Sequence, residues 1–140
     1  LNNSGLDIDH IIVPSGSDGT HAGMVVGLSG MNANIPVSGI NVSRPKDVQE
    51  ELVYELACEL AEKLEIKAGV NRDEFTCFDQ YVGEGYSIPT DTMIEAVKLF
   101  AKTEAILLDP VYSGKIVCIL HDIPGQKARK AGAKKIRAGT

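Results

Sequence analysis

The stretch from Ile11 to Leu28 constrains the fold more than any other part of this sequence. A β-branched run, Ile11-Ile12-Val13, ends at Pro14 and breaks into Ser15-Gly16-Ser17-Asp18-Gly19-Thr20. Small and apolar residues from His21 to Leu28 then recur with helical spacing. This order predicts a strand, a tight loop and a helix N-terminus. The first turn of a helix leaves backbone N–H groups unpaired and carries a partial positive charge, so such a loop suits an anion, phosphate above all.

The remaining segments extend the pattern. Pro36 to Ser43 predicts a second strand. From Lys46 to Ile66, Val48, Leu52, Leu56, Leu60 and Leu64 recur every four positions, Ala57 and Ala61 widen the stripe, and Glu51, Glu55, Glu59 and Glu62 occupy other faces. That is an amphipathic helix with one face on a sheet, closed by Gly69. Glu74 to Tyr81 predicts a third strand and Gly83 to Pro89 a loop. Thr92-x-x-Glu95 has the form of a capping box opening a helix through Lys102. Ile106-Leu107-Leu108 predicts a short buried strand ended by Asp109-Pro110. Strands alternating with helices argue an α/β fold: a parallel sheet with flanking helices, built by right-handed crossovers. The expected division is one domain over residues 1–125 and a basic, solvated tail over 126–140.

Composition narrows the function. At 140 residues with 44% hydrophobic content, the chain suffices for one domain with a moderate core. No apolar run approaches the roughly 20 residues of a membrane span. Cys58, Cys77 and Cys118 are widely spaced and odd in number, and His10, His21 and His121 have no metal-ligand spacing. This argues against a disulfide framework and a zinc site, and for a reducing cytoplasm. Residues 127–140 hold six of the 14 basic residues and no acid, so the body sets eight basic residues against 19 acidic ones, a charge of −11. So acidic a body is not expected to bind nucleic acid. The start at Leu1-Asn2-Asn3-Ser4 lacks Met and a signal segment, and reads as a cut end.

The loop lacks the Gly-Lys-Ser/Thr ending of a P-loop, and Gly16, Gly19 and Gly23 do not fit G-x-G-x-x-G. Two readings remain, a structural turn or an anion site. The hydroxyls of Ser15, Ser17 and Thr20 favour a phosphate ester.

Three segments in order resemble one family. Ser15-Gly16-Ser17-x-Gly19-Thr20-His21-Ala22-Gly23, Gly85-Tyr86-Ser87-Ile88-Pro89 and Leu107-Leu108-Asp109-Pro110-Val111-Tyr112-Ser113-Gly114-Lys115 are similar to segments of pyridoxal-phosphate enzymes of the tryptophan synthase β-like fold. The nearest group is the D-cysteine desulfhydrases and 1-aminocyclopropane-1-carboxylate deaminases, and the resemblance covers residues 7–115. It implies pyridoxal 5'-phosphate as cofactor, with Gly16, Ser17, Asp18, Gly19 and Thr20 at its phosphate and Ser113 contacting it. Tyr86 and Tyr112 become the candidate catalytic residues on the substrate side. Asp18 departs from the small residue usual there, and a carboxylate beside a phosphate is tolerated if it faces solvent.

In the resembling deaminases a Glu follows the second tyrosine, whereas the desulfhydrases carry a hydroxyl residue, so Ser113 favours the latter. The resemblance thus implies a lyase releasing sulfide, ammonia and pyruvate from D-cysteine or a related D-amino acid, active as a homodimer at full length, with the deaminase as alternative. It places the lysine that bonds the cofactor upstream of Leu1, so this chain alone is expected to be inactive, and it keeps Lys115 out of that role. The pattern departs from the family after Lys115. His21, Tyr54 and Tyr81 are read as structural. A non-catalytic phosphate- or nucleotide-binding domain remains the reading from another class.

Overall fold

Three parallel strands carry the fold, and the middle one, β2 (Val37–Asn41), is buried at every residue. The computed structural model describes residues 8–66 and 69–122. β1 (Ile11–Ser15) and β3 (Phe75–Phe78) flank β2, and the register sets Val13 and Cys77 on either side of Gly39. Parallel neighbours cannot be joined by a tight turn, so α1 (Gly19–Gly30) and α2 (Lys46–Lys63) make the crossovers. After β3 come α3 (Asp91–Glu104) and α4 (Ser113–Asp122), which pack on each other, with α4 also against β1. The α/β class with a parallel sheet and flanking helices is what the sequence indicated.

The main core lies between the sheet and the two crossover helices. Val13, Val37 and Phe75 from the strands meet Ala22, Val25 and Val26 of α1 and Val53, Ala57 and Ala61 of α2. The buried row of α2 is Gln49, Val53, Ala57 and Ala61, one residue away from the expected row of Val48 to Leu64. Val48 is 45% exposed and Leu64 58%. Alanines at the closest approach let α2 sit tight on the sheet and α1, while Leu52, Leu56 and Leu60 flank the seam half-buried. The first turn of α2 is tied to the end of β3: the Lys46 N–H donates to Asp79 Oδ2 at 2.8 Å and the Cys77 N–H to Glu50 Oε1 at 2.8 Å.

Four expectations are corrected. Ile106-Leu107-Leu108 has no regular secondary structure and joins no strand; Leu107 is 89% exposed. Its apolar character signals burial, but burial as a strand needs a ladder partner, and none is present among the described residues. The cap of α3 is Thr90, whose Oγ1 accepts the Met93 N–H at 3.3 Å. Thr90 has the extended backbone a capping residue needs, whereas Thr92 already lies inside the first turn. Helix α2 ends at Lys63, with Glu65 rather than Gly69 taking the first positive φ after it, 54°. Strands β2 and β3 are shorter than the spans 36–43 and 74–81. The basic tail at 126–140 lies outside the described residues.

His21 fills the space that Gly39 leaves on β2. A Cβ at position 39 would lie 2.6 Å from His21 Nδ1 and 3.0 Å from Ser15 Cβ. The imidazole is 1% exposed, Nδ1 sits 3.2 Å from Ser15 Oγ, and Nε2 has no hydrogen-bond partner among the described residues. Burial pushes its pKa down from 6.5 to about 4.

Two outcomes are expected. Gly39→Ala should lower stability by about 1–3 kcal/mol, because backbone and ring cannot both give way; a urea melt measures it. The unfolded chain binds a proton to His21 below pH 6.5, which the folded chain refuses until about pH 4. Stability from this residue is therefore complete above pH 6.5 and falls by about 3 kcal/mol as the pH drops toward 4. Replacing His21 by Leu should flatten the pH dependence of the urea midpoint across that window.

Candidate active site

The loops at the carboxyl ends of the three strands converge on one edge of the sheet, where ligands of open parallel sheets bind. The first is the turn after β1. Asp18 occupies the cap position of α1 with φ 69° and ψ −34°, and its side chain makes no capping bond. The Gly19 N–H donates to Ser17 O at 2.8 Å and the Ala22 N–H to Asp18 O at 2.9 Å. The N–H groups of Thr20 and His21 lie in the first turn, where a helix offers no carbonyl of its own. Ser17, Gly19 and Thr20 are exposed, and a Cβ at Gly19 would meet nothing within 4 Å. Two hydroxyls and the open first turn thus form a donor set suited to an anion.

Ser15 does not belong to that set. It is 1% exposed, and its Oγ lies 3.2 Å from His21 Nδ1 and accepts from Gln49 Nε2 at 2.9 Å. Asp18 does not meet its cost beside a phosphate by facing solvent. Its carboxylate turns toward α2, accepting from Gln49 Nε2 and standing 3.5 Å from Arg44 Nη1. A positive φ at a residue with a Cβ costs of order 1–3 kcal/mol and persists where surrounding bonds enforce it.

The two tyrosines meet. Tyr86 Oη lies 2.9 Å from Tyr112 Oη, with ring centroids 6.3 Å apart at 72°. Tyr112 also reaches the β1 turn: its Cε1 would stand 3.4 Å from a Cβ at Gly16, which Val42 Cγ2 would approach to 2.7 Å. Val42 is what requires glycine here, while the phenol would only touch such a Cβ. The hydrogen bond in which the Tyr86 hydroxyl donates to Tyr112 holds the Tyr86 phenol above the usual range. Tyr54 stands elsewhere, edge-on to Phe75 at 5.7 Å.

Tyr112 is set by the turn that precedes α4. The Asp109 carboxylate accepts the N–H groups of Val111 at 2.8 Å, Tyr112 at 2.7 Å and Ser113 at 2.8 Å, and the Ser113 hydroxyl as well. Desolvation works against ionisation here, but these donors outweigh it and hold the carboxyl well below the usual range. The Ser113 hydroxyl, expected to reach the cofactor, is thus engaged with Asp109. Behind the pair, Lys115 is fully buried; its Nζ donates to Val82 O and stands 3.5 Å from Gly85 O, fixing the loop that carries Tyr86. Burial pushes its pKa down.

Sequence reasoning missed Arg44, Gln49 and Asp109, and left Lys115 without a role. Asp109-Pro110 four residues ahead of a helix start is an Asx-turn signal that could have been read. Gln49 stands in phase with Val53, Ala57 and Ala61, and a polar residue on a buried row calls for partners. Arg44 and Lys115 act through contacts distant in sequence and carry no local signal.

Replacing Tyr112 by Phe should lower the Tyr86 phenol toward its ordinary value. Phenolate absorbance followed on raising the pH checks this, with Tyr86→Phe identifying the transition.

Residues 1–136 match the family model described as pyridoxal-phosphate dependent enzyme, which extends past Lys115 and through α4. A crystal structure described as an ACC deaminase homologue matches with a TM-score of 0.78 at 34% identity, over 91% of this chain and 38% of that one. The family match spans nearly the whole chain, and the relative shares both sequence and fold. The chain belongs to the family of pyridoxal-phosphate-dependent enzymes.

Proposed function

We propose that this chain is the cofactor-cradling part of a lyase that releases sulfide, ammonia and pyruvate from D-cysteine or a related D-amino acid. The observation that carries the proposal is the seat of Tyr112, its ring against Gly16 of the phosphate-type loop and its hydroxyl 2.9 Å from Tyr86. The residues fit pyridoxal phosphate at both ends. Ser17, Gly19, Thr20 and the open first turn of α1 would hold the phosphate, while the close pass at Gly16 brings two phenols to the substrate side. Bound there, the cofactor supplies an electron sink for negative charge at the substrate α-carbon.

The chain's own groups do the rest. One phenol donates to the other, leaving one O–H free to donate. The pair can therefore hold a proton at Oη for a leaving group or orient a substrate carboxylate. Ser113 is itself a neutral residue, with its hydroxyl held on the Asp109 carboxylate. A hydroxyl rather than a carboxyl side chain at position 113 supports loss of a good leaving group over ring opening. The second reading, deamination of 1-aminocyclopropane-1-carboxylate, is favoured by the description of the structural relative. A small amino-acid substrate, a cytoplasmic setting and a homodimer of the longer protein belong to the same proposal. No helix among the described residues is long and apolar enough to cross a membrane.

The test joins this chain to the N-terminal portion of the ACC deaminase homologue. Sulfide and ammonia from D-cysteine are the expected products, and Tyr112→Phe should lower kcat/KM by about 10²–10⁴. Ser113→Glu should move the ratio of activities toward the cyclopropane substrate. Ammonia from that substrate with no sulfide from D-cysteine would replace the first reading by the second.

A further inference from the structure

The β1 turn divides into gripped residues, Ser15, Gly16 and Asp18, and exposed ones, Ser17, Gly19 and Thr20. Ser15, Gly16 and Asp18 are each held by Arg44, in the segment that joins β2 to α2, or by Gln49, in the first turn of α2. Gln49 Nε2 donates to Ser15 Oγ and Asp18 Oδ1, and Arg44 Nη1 donates to Gly16 O and to Gln49 Oε1 at 3.1 Å. Arg44 is itself fixed through its carbonyl, which accepts from Asn41 Nδ2 at 2.9 Å. Gln49 and Asn41 are fully buried. The hydroxyls of Ser17 and Thr20 make no hydrogen bond among the described residues and face outward.

Asp18 stands at the helix cap, and an aspartate there ordinarily turns its carboxylate onto the N–H groups of the first turn. Those are the N–H groups an anion would need. Here the side chain makes no such bond and instead accepts from Gln49 and stands beside Arg44. We propose that Gln49 and Arg44 are positioning residues for the cofactor phosphate, acting as a latch that stops Asp18 from capping its own helix. The latch rests on the reading of Ser17 to Thr20 as the phosphate cradle. It has two effects on an incoming dianion: the first-turn donors stay vacant, and the nearest carboxylate is turned away and paired with a guanidinium. Once Gln49 is lost, the freed carboxylate occupies the donors and repels the phosphate, while the helix gains a cap.

The experiment measures binding of inorganic phosphate and of pyridoxal phosphate to the 140-residue chain, by phosphorus NMR and by absorbance. Gln49→Leu should weaken both by about tenfold. In an Asp18→Gly background, which has no side chain to cap with, the same change should cost less than about twofold relative to Asp18→Gly alone. A merely structural role for Gln49 predicts equal losses in the two backgrounds, and that result, or no loss in either, overturns the latch. Arg44→Met, at a half-exposed side chain, repeats the comparison should Gln49→Leu not fold, with a smaller loss confined to the Asp18 background. Failure of the unaltered chain to bind either ligand removes the cradle reading itself, and the latch with it. Binding that is indifferent to both substitutions removes the latch alone.

Discussion

One buried hydroxyl holds the working end of the sheet together. Ser15, the last residue of β1, meets His21 of α1 on one side and Gln49 of α2 on the other. A strand and both crossover helices are thereby joined at a point closed to water, where satisfied polar groups reinforce each other and an unsatisfied one is costly. The open face of the turn depends on this junction. Gly16 to Thr20 can leave donors unpaired because the residue before them is fixed, and Gly39 is there because the His21 ring must pass over β2 to reach it.

The same division recurs at the second half of the site. The phenols of Tyr86 and Tyr112 are exposed, but what places them is internal. Asp109 gathers three N–H groups and a hydroxyl to start α4, and Lys115 draws in the carbonyls of the loop that carries Tyr86. Gly114 lets α3 approach, since a Cβ there would stand 2.9 Å from Met93 Sδ. Reactive groups at the surface are thus held by polar contacts beneath them.

What could be read from the sequence follows from the range of the forces involved. The strand, loop and helix from Ile11 to Leu28 and the order of elements are written in local periodicity, and the loop and both tyrosines in short motifs. The buried face of α2 was misplaced by one residue because leucines signal burial more strongly than alanines, yet closest packing chose Ala57 and Ala61. The segment 106–108 was misread because apolar character is local and a ladder partner is not. Arg44, Gln49 and Lys115 escaped notice for a related reason: each acts on a residue that only the tertiary fold brings near, and Lys115 acts on carbonyls some 30 positions away.

The burial of Lys115 has a consequence for chemical labelling. An aldehyde such as pyridoxal phosphate condenses with any amine that is exposed and can lose its proton. Lys46, Lys63, Lys98 and Lys102 are all exposed, so they will take up the reagent indiscriminately at high concentration. Lys115, closed off and donating to carbonyls, stays unmodified however readily its proton leaves. Its place at the site therefore protects it from the one reagent that reaches the site.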